Sequence, residues 1–198
     1  MRKINTIILV LSLLWSSTAG AESFLDKKQV KLGETVPAFR LNDAQGQEIE
    51  LGALKGKIVF LHFWSATCPF VKRYEDRLRE IAESYKDKGV VLYAINSNSN
   101  EDLNLIQETA RERSLNYPVL IDKGNIVADQ FGAITTPHVF ILDAQGRLAY
   151  EGAVDDQGWS ESDTVRQNYA RDALEALLSG QPVATPQTKT VGCTVKRA

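Results

Sequence analysis

"GKIVFLHFWSATCPFVKRYE", residues 56–75, decides the fold. From Ile58 to Trp64 it is almost continuously apolar and rich in β-formers, the pattern of a strand buried on both faces. The small residues Ser65, Ala66 and Thr67 follow, and then Cys68 and Pro69. Proline is welcome in the first turn of a helix, so Pro69 predicts a helix start. Beyond it Val71, Tyr74, Leu78, Ile81 and Tyr85 recur at spacings of three and four. They form one apolar stripe, with Lys72, Arg73, Glu75, Asp76, Arg79 and Glu80 expected on the surface. Gly89 stops the helix. Cys68 therefore sits where a buried strand passes into an amphipathic helix.

Working outward, "VPAFRLNDAQGQEIELGAL" reads as two short strands, near 38–41 and 47–51, joined by a turn at Asp43–Gly46. Toward the carboxyl end, "VVLYAIN" (90–96) is another buried strand. The polar "SNSNED" follows, in which Asn100 is the expected cap of a helix over 101–114. "YPVLID" is a short strand and "NIVADQFG" a short helix. "TPHVFILD" (136–143) and "RLAYEGAV" (147–154) are strands joined by a turn at Ala144–Gly146. Residues 164–179 form a last amphipathic helix, stopped by Gly180 and Pro182. The order β-β-β-α-β-α-β-α-β-β-α predicts an α/β fold: a sheet covered on both faces, with an antiparallel hairpin at one edge. The tail, "GQPVATPQTKTVGCTVKRA", has two prolines, no helical period and the second cysteine. It reads as an extended arm, 181–198, laid on the domain or free in solvent.

The chain has 198 residues, 43% hydrophobic and 24% charged, with a formal net charge of -2. That suits one globular domain. It excludes a nucleic-acid surface, which needs clustered excess Lys and Arg. The first 21 residues have the three-part pattern of a secretory signal peptide: Arg2 and Lys3, an apolar run from Ile7 to Trp15, and the small residues Ala19-Gly20-Ala21. The apolar run is shorter than the roughly 20 residues that a membrane span needs. The expectation is therefore an exported, periplasmic protein that is not integral to the membrane. In an oxidising compartment disulfides persist. Cys68 and Cys193 then permit one bridge, two independent thiols, or one thiol waiting for a partner.

The position of Cys68 suggests chemistry. The thiolate is the reactive form of cysteine. The first turn of a helix offers unpaired N–H groups and the positive end of the dipole, both favouring an anion. Ligands of open α/β sheets also bind at carboxyl ends of strands. The competing reading is a buried structural cysteine; the strand before, Pro69 after and the small residues between favour a nucleophile. The loop "NSNSNED" falls at the same rim, where its composition favours a solvated loop with a helix cap over a wall of the site.

"VFLHFWSATCPFV", with "GAITTPHVFILD" far downstream, resembles the thioredoxin superfamily over roughly residues 33–180. The paired motifs are an aromatic-rich strand ending F-W-x-x-x-C-P and a T-P before an apolar strand. The resemblance implies a thioredoxin fold: a central mixed sheet flanked by helices, here with an amino-terminal β-hairpin extension. It implies that Cys68 is the attacking cysteine and that Pro137 is cis and faces it. Thr136 and Pro137 would then hold backbone groups open for an extended substrate. Trp64, Pro69 and Phe70 complete the substrate-binding candidates, with Trp64 and Phe70 as an apolar rim.

Two departures stand out. Val71 occupies the position of the resolving cysteine in C-x-x-C. His62 stands where thioredoxins place a buried acid, as a proton relay or as a core histidine. The single cysteine at the first position, with the ending "GCTVK", resembles the peroxiredoxin-like group of redoxins (alkyl hydroperoxide reductase–thiol-specific antioxidant). The residues before Val71 do not supply the peroxiredoxin P-x-x-x-T-x-x-C.

Thiol–disulfide exchange with protein thiols or a redox partner protein is the expected activity, with no organic cofactor and no resident metal. Cys193 is the candidate resolving thiol. A permanent Cys68–Cys193 bond, stabilising by about 4–5 kcal/mol in the chain-entropy model, and an unpaired tail thiol remain open. A peroxidase is one alternative function. Another is copper or zinc delivery through Cys68, His62, His138 and Cys193, since soft and borderline ligands suit those ions. A third is a non-catalytic interaction protein.

Overall fold

The computed structural model describes residues 29–158 and 164–197. The leader expected over residues 1–21 lies outside them. The elements in chain order are β1 (Arg40–Asn42), β2 (Glu48–Glu50), β3 (Ile58–Trp64), α1 (Pro69–Tyr85), β4 (Val90–Asn96), α2 (Leu103–Glu112) and β5 (Val119–Ile121). There follow α3 (Ile126–Phe131), β6 (Thr135–Thr136), β7 (His138–Leu142), β8 (Leu148–Gly152), α4 (Tyr169–Leu178) and β9 (Cys193–Thr194).

The five-stranded central sheet has the order β5-β4-β3-β7-β8. β3 pairs in parallel with β4, and β4 with β5; β7 runs antiparallel to both β3 and β8. β1 and β2 form the expected antiparallel hairpin. This mixed sheet with helices on both faces is the thioredoxin fold.

Every residue of β3 is buried, as its continuous apolar run predicts. Alternation sends Phe60 and Trp64 into a core shared with Val71, Tyr74, Leu78 and Ile81 of α1 and with Ala173 and Leu174 of α4. Val59, Leu61 and Phe63 enter the opposite core with Phe131 of α3, Phe140 and Leu142. Full burial of such side chains contributes about 1.5–3 kcal/mol each.

Some boundaries differ from the sequence reading. The cap of α2 is Asp102, not Asn100: its carboxylate accepts from the Leu105 N–H at 2.8 Å. α4 begins at Tyr169, after an irregular stretch. Glu75, expected on the surface, is buried. Arg113, one residue past α2, donates to it at 2.7 Å, and a buried carboxylate is tolerated when so paired.

Candidate active site

Parallel pairing puts the carboxyl ends of β3 and β4 side by side, with Trp64 opposite Asn96. Antiparallel pairing brings the start of β7 to the same end, with Phe63 opposite His138. Three segments therefore converge: the β3–α1 loop, the β4–α2 loop, and Thr136–Pro137. The Thr136–Pro137 peptide is cis.

Cys68 is the N-cap of α1 and is only 2% exposed. Its Sγ donates to the Thr136 carbonyl at 3.1 Å. Cys193 arrives from the carboxy-terminal arm. β9 runs antiparallel to β6, pairing Cys193 with Thr136 and Thr194 with Thr135. Cys193 lies within hydrogen-bonding reach of Cys68, and its sulfur accepts from the Phe70 N–H in the first turn of α1. Both are free thiols. Burial first, and then the neighbouring Cys68 sulfur, push the Cys193 thiol up to about 11, so Cys193 stays protonated near neutral pH. The two sulfurs share the helix end that a C-x-x-C motif would occupy, although most of the domain separates them in sequence.

The backbone groups of Thr136, expected to stand open for a substrate, are thus taken by the chain's own tail. The arm is fastened further out as well. The Val195 N–H donates to Ile134 O at 3.0 Å, the Lys196 N–H to Asn98 Oδ1 at 2.9 Å, and the Ser99 N–H to Lys196 O at 2.9 Å. Arg197 reaches Ala133 O at 2.8 Å and pairs with Asp129. Gly192 has no substitute here. A Cβ on it would overlap the Thr136 carbonyl, 2.7 Å from its carbon and 3.3 Å from the Pro137 nitrogen.

The loop before Cys68 is held from below by Glu101, a residue the sequence reading did not single out. Glu101 Oε1 accepts from the Ser65 hydroxyl (2.6 Å), the Thr67 hydroxyl (2.6 Å) and the Thr67 N–H (3.0 Å). Oε2 accepts from the Ala66 N–H (3.0 Å) and Asn96 Nδ2 (2.6 Å). Burial alone would raise its pKa, but these hydrogen bonds outweigh burial and hold the carboxyl below its ordinary range. Arg113 adds a further tie, donating to Ala66 O at 2.6 Å. Asn98 donates to Trp64 O at 3.2 Å while accepting from the arm, so one side chain joins both sides of the site. The loop after β4 therefore turns Ser97, Asn98 and Glu101 inward against the site, while Ser99, Asn100 and Asp102 stay exposed. Its only sequence signal was its place at the strand-end rim.

The other candidates fall differently. Pro69 is exposed and Phe70 half-buried, consistent with a place at the rim. Trp64 is a correction: its ring is 0% exposed, because strand alternation turns it into the α1 core, and it lines no rim. His62 is also 0% exposed and packs edge-on against Tyr117 and Phe60. Burial lowers it to about 3, and neither ring nitrogen has a hydrogen-bond partner among the described residues. It is a neutral core imidazole in this form, with no polar path to either sulfur. His138 lies against Phe140 at 4.3 Å and is lowered by burial to about 4. Phe140 belongs to the core opposite the one that holds Cys68. The four soft ligands considered for copper are thus not gathered, and no group of three His, Cys, Asp or Glu suited to a metal occurs among the described residues.

Comparison with known proteins bears on the fold and the family. A family model described as the AhpC/TSA family matches residues 32–151. The chain is similar to the thiol-disulfide oxidoreductase ResA of Halalkalibacterium halodurans, 32% identical over 143 residues that cover 72% of this chain and 80% of that protein. Among solved structures it resembles an uncharacterized conserved protein of Geobacillus kaustophilus (TM-score 0.79, 31% identity, 86% of this chain and 94% of that one). A hypothetical protein of Sinorhizobium meliloti is also similar (TM-score 0.79, 30% identity, 86% and 97%). On the extent of the family match and of the identity to ResA, the chain belongs to the AhpC/TSA family.

Proposed function

We propose that the protein is an extracytoplasmic thiol–disulfide oxidoreductase in which Cys68 attacks and Cys193 resolves. The observation that carries this reading is the meeting of the two thiols at the first turn of α1, beside Thr136 and the cis peptide. The names of its relatives and the signal-like leader support the activity and the compartment.

In the reductive direction, the Cys68 thiolate attacks one sulfur of a substrate disulfide. The substrate S–S bond breaks, the departing sulfur takes a proton, and a mixed disulfide remains on Cys68. Cys193 then loses its proton and attacks the Cys68 sulfur. The second substrate sulfur leaves as a thiol, and the chain holds a Cys68–Cys193 disulfide. The substrate has gained two electrons and two protons, and the chain has lost them. An external dithiol resets the pair; run backwards, the same steps pass a disulfide on. The partner's potential sets the direction. Because Cys193 is held protonated, it is the thiol that waits.

The test is peptide mapping after mild diamide oxidation, together with disulfide exchange by the single-cysteine variants. A Cys68–Cys193 bridge should form. Cys68→Ser should abolish exchange, and Cys193→Ser should stall at a mixed disulfide on Cys68. Two free thiols after oxidation, or full turnover by Cys193→Ser, would defeat the assignment of Cys193. Hydrogen peroxide as sole oxidant separates the peroxidase alternative: consumption faster than disulfide exchange would favour it.

A further inference from the structure

β9 occupies a strand edge beside Cys68, the edge of β6. It satisfies the backbone of Thr135 and Thr136 and lays a cysteine against Cys68, a residue only 2% exposed. Resting on the oxidoreductase reading above, we infer that this edge is the docking strand for an extended, cysteine-bearing segment of the partner protein, that the arm is its resident counterpart, and that the two occupy the edge in turn.

A strand edge has one set of backbone donors and acceptors, so it pairs with one strand at a time. A partner segment that offers its cysteine to Cys68 along Thr135–Thr136 must displace Cys193 and Thr194. The mixed disulfide therefore forms with the arm undocked. Its return restores the Val195–Ile134, Lys196–Asn98 and Ser99–Lys196 hydrogen bonds, brings Cys193 onto the Cys68 sulfur, and expels the partner from the edge. Resolution and product release are one movement.

The arm also carries the specificity of the edge. Residue 192 passes so close to the Thr136 carbonyl that no Cβ fits. A partner segment that follows the same path meets the same carbonyl, so the residue before its cysteine is glycine. The favoured partner has a Gly-Cys sequence in extended conformation, followed by β-forming residues. A basic residue four places after the cysteine would match the Asp129 and Ala133 contacts of Arg197.

The experiment uses the full-length Cys193→Ser chain, which retains the arm and cannot resolve. It is reacted with the peptide Val-Gly-Cys-Thr-Val-Lys-Arg, activated as its thiopyridyl disulfide, and with the counterpart in which Val replaces Gly. Cys68 displaces pyridine-thione and keeps the peptide. The amides of Ser99, Val195 and Lys196 should exchange with solvent at least about tenfold faster in the adduct than in the free chain. The Gly-Cys peptide should be captured about tenfold faster than the Val-Cys peptide. In the otherwise unaltered chain, Gly192→Ala should raise iodoacetamide alkylation of Cys68 by about tenfold, because the arm no longer seats. An adduct on Cys68 with those amides still protected, equal capture of the two peptides, or unchanged alkylation in Gly192→Ala would overturn the inference. Failure of both peptides to form an adduct on Cys68 would instead overturn the oxidoreductase reading beneath it.

Discussion

The loop that delivers Cys68 and the arm that delivers Cys193 reach the same helix end by different means. Ser65–Thr67 spans a strand and a helix that are both locked into the core. Its polar groups converge on the buried Glu101 carboxylate, and Arg113 ties its backbone to α2. The arm near its cysteine has a two-residue strand, one buried apolar side chain in Val195, and an exposed ion pair through Arg197. Few buried contacts and exposed hydrogen bonds mean a low free energy of local opening. One sulfur is held by the fold and the other by a segment that the fold holds lightly. That asymmetry suits a nucleophile that stays in place and a second thiol that arrives.

The comparison can be broken most forcefully at Glu101. Glu101→Leu strips partners from buried donors on Ser65, Ala66, Thr67 and Asn96, and should cost about 3–4 kcal/mol of stability by urea unfolding, since each unmade buried bond costs about 1–3 kcal/mol. Disulfide exchange at Cys68 should fall with it; a loss no larger than that of an arm variant would erase the contrast.

Acid probes the fixed side next. His62 and His138 stand at about 3 and about 4 in the folded protein, against an ordinary 6.5. Below about 6.5 the unfolded chain binds protons that the folded chain refuses, so stability falls with pH, by up to about 1.4 kcal/mol per unit for each histidine. At pH 5 each should have removed about 2 kcal/mol relative to pH 7.5. Denaturant midpoints should show this loss, and His62→Phe should roughly halve its slope.

Asn98→Ala cuts the one side chain that bonds both segments. It should cost about 1–2 kcal/mol, and it should speed exchange of the Lys196 amide before it affects β3. Arg197→Ala is the mildest change, below about 1 kcal/mol for an exposed pair. It should leave the melting temperature nearly unmoved while slowing Cys68–Cys193 bond formation under diamide. A large melting shift would show that the arm is part of the core after all.

The fold was legible wherever hydrophobic pattern carries it. The run Ile58–Trp64 announced a doubly buried strand, and Val71, Tyr74, Leu78, Ile81 and Tyr85 announced the buried stripe of α1, which the structure reproduces residue for residue. Side-chain polarity misled where burial is compensated by pairing. Glu75 looked like surface because its partner Arg113 lies far along the chain, just past the end of α2. Glu101 looked like part of a solvated loop because the Ser65–Thr67 groups that satisfy it are neighbours only in space. Trp64 was placed in the site by its nearness to Cys68 in sequence, yet strand alternation turns it inward. The meeting of Cys193 with Cys68 rests on how the arm crosses β6, which no periodicity in a proline-bearing tail encodes.

Gly192 and Cys193 follow every other described element in the chain. A chain cut ahead of Gly192 would keep the sheet, α1 and Cys68 and lose the second thiol with its strand. On the proposed mechanism such a truncated protein would capture disulfides and hold them, a trap where the longer chain is a cycling catalyst.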